Sequence, residues 1–108
     1  MIKGEVKKKS EFDEVLKEAE RWNPRAKRTL DRLSSIIRDM ESDAENCLYP
    51  VLVMDGIRFG EAYSEAMSKM YLIGRSRLFM IRGKLLDRIT NILQEKCGFK
   101  WPEKPKEI

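Results

Sequence analysis

The spacing of the apolar side chains limits this chain more than any other feature. Ala26, Leu30, Leu33, Ile37, Met40, Ala44 and Cys47 follow one another at alternating intervals of four and three. Leu52, Gly56, Phe59, Tyr63, Ala66, Met70 and Ile73 keep the same rhythm, and Leu78, Ile81, Leu85, Ile89 and Ile92 resume it. Residues three and four apart share one face of a helix. Each run therefore predicts a helix with an apolar seam that needs a facing helix to bury it. Phe79, Leu86 and Leu93 are expected to widen the last seam. A shorter helix, Glu11 to Trp22, precedes these, with Phe12, Val15, Leu16, Ala19 and Trp22 on one face.

Punctuation residues set the boundaries. Ser10 is a good N-cap, with Asp13 three residues later. Asn23-Pro24 ends one helix and opens the next. Pro50 breaks the chain again, and Val51–Gly56 then reads as either a short extended piece or the first turns of a helix. The continuing rhythm favours helix. Gly74 is read as the next turn, with Ser76 as its cap, and Gly98 as the last helix stop. Gly56 and Gly60, one turn apart, would admit a neighbouring helix closely, at about 1 kcal/mol of helix propensity each.

The expected fold is all-α: an antiparallel bundle of three long helices and one short N-terminal helix. Residues 1–9 read as a basic tail, 10–98 as the bundle, and 99–108 as a proline-interrupted tail whose Phe99 and Trp101 dock on it. A chain of 108 residues, 42% hydrophobic, makes one modest core. At that size roughly two-thirds of the unfolded surface is buried, so self-association would help. More seam is present than a four-helix monomer needs, and at least a dimer is expected.

No run approaches the ~20 apolar residues of a membrane span. Residues 1–9 lack the apolar stretch of a signal peptide. The reading is an intracellular, cytoplasmic protein without membrane contact. Cys47 and Cys97 form no C-x-x-C pair, so both are expected as free thiols in a reducing compartment. Charged residues reach 37%, with one glutamine and three asparagines. That balance leans towards a thermophilic source, although six methionines lean the other way.

The charges are sorted along the chain. Residues 21–38 hold Arg21, Arg25, Lys27, Arg28, Arg32 and Arg38 against Asp31. Residues 39–65 hold Asp39, Glu41, Asp43, Glu45, Asp55, Glu61 and Glu65 against Arg58. Residues 66–88 hold Lys69, Arg75, Arg77, Arg82, Lys84 and Arg88 against Asp87. Cations near helix starts oppose the helix dipole, so helix stability does not explain them. Folded up and down, the two basic blocks would meet at one end and the acidic block at the other.

The chain has no histidine. That removes the commonest general acid or base and the commonest metal ligand. No phosphate loop or dinucleotide fingerprint is present. Asp39 with Asp43, and Glu61 with Glu65, are one turn apart and could in principle hold magnesium, but they read first as solvated acidic faces. The acidic pattern matches the all-helical nucleotide pyrophosphohydrolases poorly. Gly74, Ser76 and Arg82 could sit in a helix-turn-helix, but Arg75 takes a position that is usually apolar.

The expectation is therefore a non-enzymatic binding module with no cofactor, metal or catalytic residue. Its basic end, with Arg25, Lys27, Arg28, Arg32, Arg75, Arg77, Lys84 and Arg88, would bind DNA or RNA phosphates. The alternative is a homo- or hetero-oligomeric structural or adaptor protein without nucleic-acid contact. Two further readings are that the blocks pair across helices, and that basic and acidic ends stack subunits head to tail. Arg82 falls within an apolar stripe, which demands a buried ion pair or an interface.

Overall fold

A computed structural model describes residues 11–99. The chain runs through α1 (Glu11–Trp22), a 3-10 turn at Pro24–Ala26, α2 (Lys27–Glu45), α3 (Tyr49–Ser68) and α4 (Leu72–Cys97). Pro24 and Pro50 each stand in the first turn of their element, where a missing N–H removes no bond. Residues 50–56 are helical, as the rhythm requires. The Ser10 cap, the basic tail 1–9, and Trp101 with the end of the C-terminal tail lie outside the described residues.

All other elements pack on α2, which places Leu30, Leu33 and Ile36 in the core with Leu78 and Ile81 of α4. Cross-helix pairs give the directions. Arg32 of α2 meets Glu65 of α3, and Asp39 meets Arg58, so these helices run oppositely. Glu18 of α1 meets Arg77 of α4, and Asn23 meets Tyr71, again in opposite order. An upper end thus gathers the close of α1, the start of α2, the close of α3 and the start of α4. The lower end holds the α2–α3 turn and the close of α4.

Asn23 ties the upper end, in a way its expected capping role does not describe. It makes no side-chain cap bond. Buried instead, its Nδ2 donates to the Ala19 carbonyl at 3.0 Å and its Oδ1 accepts the Tyr71 N–H at 3.1 Å. Gly74 also departs from expectation. The turn comes earlier, and α4 begins at Leu72. Gly74 lies buried inside the helix, where a Cβ would stand 2.5 Å from Met70 Sδ and 2.7 Å from Asn23 Nδ2. Close packing of the upper joint, not turn formation, requires this glycine.

The lower end corrects the reading of the cysteines. Cys47 and Cys97 are joined in a disulfide, with Cα atoms 5.7 Å apart. Fifty residues separate them in sequence, but the up-and-down path returns α4 to the α2–α3 turn. Cys47 stands at φ 59°, the left-handed position that follows a helix. Its N–H reaches the Ala44 carbonyl, and the Leu48 N–H reaches that of Asp43 at 2.9 Å. Gly98 takes the equivalent position after α4, as expected, and the half-buried Phe99 stands beside the Tyr49 ring.

The seams are partly as expected. In α3, Leu52, Phe59 and Ala66 are buried, and so are Ala62 and the unanticipated Asp55; Met70, just past its end, is buried too. Ile73, Phe79 and Leu86 are exposed rather than buried. The cause is the placing of α4, which lies against α1 and α2 and only lightly against α3. One side of α3 and α4 is left uncovered. No helix among the described residues is long and apolar enough to cross a membrane.

Candidate nucleic-acid interface

The eight cations expected to form one surface divide into two groups. Arg25 lies in the 3-10 turn, Arg28 in the first turn of α2 and Arg75 in the first turn of α4, all at the upper end. All three are exposed and make no ion pair among the described residues. Arg75 is held in place by its own Nε, which donates to the Met67 carbonyl at 3.1 Å.

Four of the other five, Lys27, Arg32, Arg77 and Arg88, are engaged by acids. Lys27 bonds Asp31 at 3.1 Å and lies 4.0 Å from Glu20; these carboxylates raise its pKa, the Asp31 hydrogen bond most. Arg32 pairs with Glu65 at 3.3 Å, Arg77 with Glu18 at 3.0 Å, and Arg88 with Glu41 at 2.5 Å. Lys84 and Arg88 lie farther down α4, on a shallow pocket of about 550 Å³ that they share with Glu45, Asp87 and Glu95. At 1.5 Å per residue, Arg88 is about 20 Å below Arg75. The anticipated single flank of Arg77, Lys84 and Arg88 joined to the start of α2 is therefore absent. Much of the charge sorting resolves into pairs across helices, each solvent-facing and worth about 0–1 kcal/mol.

Two residues that the sequence reading passed over complete the upper end. Trp22, the last residue of α1, is 58% exposed, and Tyr71, just before α4, is 71% exposed. Arg21 stands beside Trp22, exposed and without an ion pair among the described residues. Spacing puts Trp22 on the apolar face of α1, yet it is the last residue of that helix and its ring stands in the open. Below the patch, Lys69 donates to Thr29 Oγ1 at 3.1 Å and to Glu65 at 3.3 Å. The Lys69 hydrogen bond is the main cause that holds the Glu65 carboxyl below its ordinary pKa. The upper end thus carries both unpaired guanidinium groups and two open aromatic rings.

Arg82 corrects another expectation. It is exposed, and no carboxylate pairs with it among the described residues. The stripe in which it stands is the uncovered side of α4, so the single chain has no interior there to place it in.

Acidic residues gather lower down. Asp55 of α3 is 3% exposed, at the seam with α2. Its Oδ1 accepts from Arg58 Nη1 at 3.2 Å. No donor reaches the buried Oδ2. Carrying a proton, that oxygen can itself donate to the Asp43 carboxylate. Burial first, then this bond and the charges of Asp43 and Asp39, push the Asp55 pKa up to about 6, with Arg58 opposing. No group of three or more Asp, Glu or Cys among the described residues is placed to hold a metal ion.

Fold and site together describe a disulfide-tied helical bundle with a cationic, aromatic end. No family model, curated protein or solved structure matches the chain.

Proposed function

We propose that this chain is a non-enzymatic binding module that takes single-stranded nucleic acid on its upper end. The supporting observation is the conjunction of Arg21, Arg25, Arg28 and Arg75 with the exposed rings of Trp22 and Tyr71. Guanidinium groups track a phosphate backbone, and bases stack on aromatic faces at about 1–3 kcal/mol each. Duplex DNA keeps its bases stacked and cannot use the rings. Recognition is then largely independent of sequence, because backbone contacts carry no base information. Each subunit reaches only a few phosphates, so self-association strengthens the reading by placing several ends on one strand.

A cytoplasmic placement fits this function. The disulfide agrees with it if the source is a thermophile, since intracellular proteins of hyperthermophiles keep disulfides. The second reading, an oligomeric structural or adaptor protein without nucleic-acid contact, draws support from the uncovered apolar side of α3 and α4.

The test is binding of labelled single-stranded DNA and RNA at low salt. Arg25→Ala/Arg28→Ala/Arg75→Ala should weaken binding to both, and Trp22→Ala should weaken it further. Arg32→Ala/Arg88→Ala, which removes paired cations, should change it little. Loss of binding in Arg32→Ala/Arg88→Ala with retention in Arg25→Ala/Arg28→Ala/Arg75→Ala would overturn the assignment to this end.

A further inference from the structure

We infer that the uncovered side of α3 and α4 is the contact surface between two copies of this chain. This rests on the assembly reading above and is independent of nucleic-acid binding. Three helical glycines mark the surface. A Cβ added to Gly56, Gly60 or Gly83 would meet nothing within 4 Å. No packing inside the chain requires them, although each weakens its helix by about 1 kcal/mol relative to alanine. Backbone bared in this way admits another helix closely.

Large apolar side chains surround them. Val53 and Ile57 of α3, and Phe79 and Leu86 of α4, are each more than half exposed. Exposed apolar side chains gathered on one side and rimmed by polar residues mark an interaction surface. A stable interface needs about 800 Å² per partner, so this patch supplies the apolar centre and a polar rim supplies the remainder.

Charge identifies the occupant. Glu61 of α3 and Arg82 of α4 are exposed, and neither has an ion pair among the described residues. Arg82 acts electrostatically on the Tyr63 hydroxyl of α3, so it stands by the seam between the two helices. The patch therefore carries an anion on one half and a cation on the other. A two-fold axis through it lays α3 of one copy on α4 of the second. Glu61 of each copy then opposes Arg82 of the other. The same surface serves both copies, so the contact closes at a dimer.

Sedimentation across the micromolar range tests this. The wild-type mass should double from 12.7 kDa as concentration rises. Phe79→Lys and Glu61→Arg, both at exposed positions that leave helicity intact, should each raise the dimer Kd at least about tenfold. Glu61→Arg/Arg82→Glu should restore dimerisation. A wild-type mass fixed at the monomer, as expected if a different protein covers the face, would refute the proposal. Unchanged dimerisation of Phe79→Lys, or failure of the double reversal to restore it, would refute it equally. Failure of nucleic-acid binding would leave this result untouched.

Discussion

Replacing Asp55 by asparagine should stabilise the protein, and only above acidic pH. Asp55 is almost fully buried, and its pKa stands at about 6 rather than 3.8. The folded state therefore holds the proton more tightly than the unfolded chain. A raised pKa contributes stability that is fully present below the unfolded value and is lost as pH rises through the folded one. The loss accumulates between about pH 4 and pH 6 and amounts to about 3 kcal/mol, at about 1.4 kcal/mol per pH unit. Asparagine does not ionise. Its carbonyl can still accept from Arg58, and its amide can donate to Asp43 as the protonated acid does. Asp55→Asn should thus match wild type near pH 4 and exceed it by up to about 3 kcal/mol near pH 7.5. That gain corresponds to a Tm higher by roughly 10 °C or more. Urea melts followed by far-UV circular dichroism from acidic to neutral pH would measure it. A variant less stable than wild type at neutral pH would refute the reasoning, as would equal pH dependence in the two proteins.

Other outcomes follow from the joints. Reducing the disulfide, or replacing Cys47 by serine, should cost about 4 kcal/mol, the loop-closure value for some fifty residues; equal denaturation midpoints with and without reductant would contradict this. Gly74→Ala should destabilise by about 1–3 kcal/mol through overpacking against Met70 and Asn23, checked by thermal melting. Leu33→Ala, in the centre of α2, should cost about 2–5 kcal/mol in the same assay. Arg82→Ala should change monomer stability by no more than about 0.5 kcal/mol, because its guanidinium is exposed.

Much of the fold was legible because helical periodicity and proline positions are local signals. The bounds of α1, the helical start of α3 after Pro50 and the stop at Gly98 needed only neighbouring residues. The misreadings lie where distant segments meet. Gly74 looks like a turn until Asn23 and Met70 are brought against it. Cys47 and Cys97 look unrelated until α4 returns to the lower end. Phe79, Leu86 and Arg82 shared a wheel face with core residues, and only the placing of α4 against α1 and α2 shows that face uncovered.

The candidate site was legible in part for the same reason. Arg25, Arg28 and Arg75 follow from charge sorting and topology. Which cations are paired depends on cross-helix partners such as Glu65, Glu18 and Glu41, which spacing along one chain does not reveal. Trp22 and Tyr71 carried no distinguishing signal, since an aromatic at helical spacing reads first as core. Asp55 lay one residue from the apolar rhythm at Gly56 and was counted with the solvated acids.

The salt dependence of single-strand binding tests the central claim most directly. On a single strand each neutralised phosphate contributes about 0.7 to the slope of log affinity against log salt. Wild type should bind at low salt with a slope of about 3, from the four unpaired arginines of the upper end. Arg25→Ala/Arg28→Ala/Arg75→Ala should lower that slope by about 2. Absence of binding to single-stranded DNA and RNA at low salt would contradict the account, as would a slope that the triple substitution leaves unchanged.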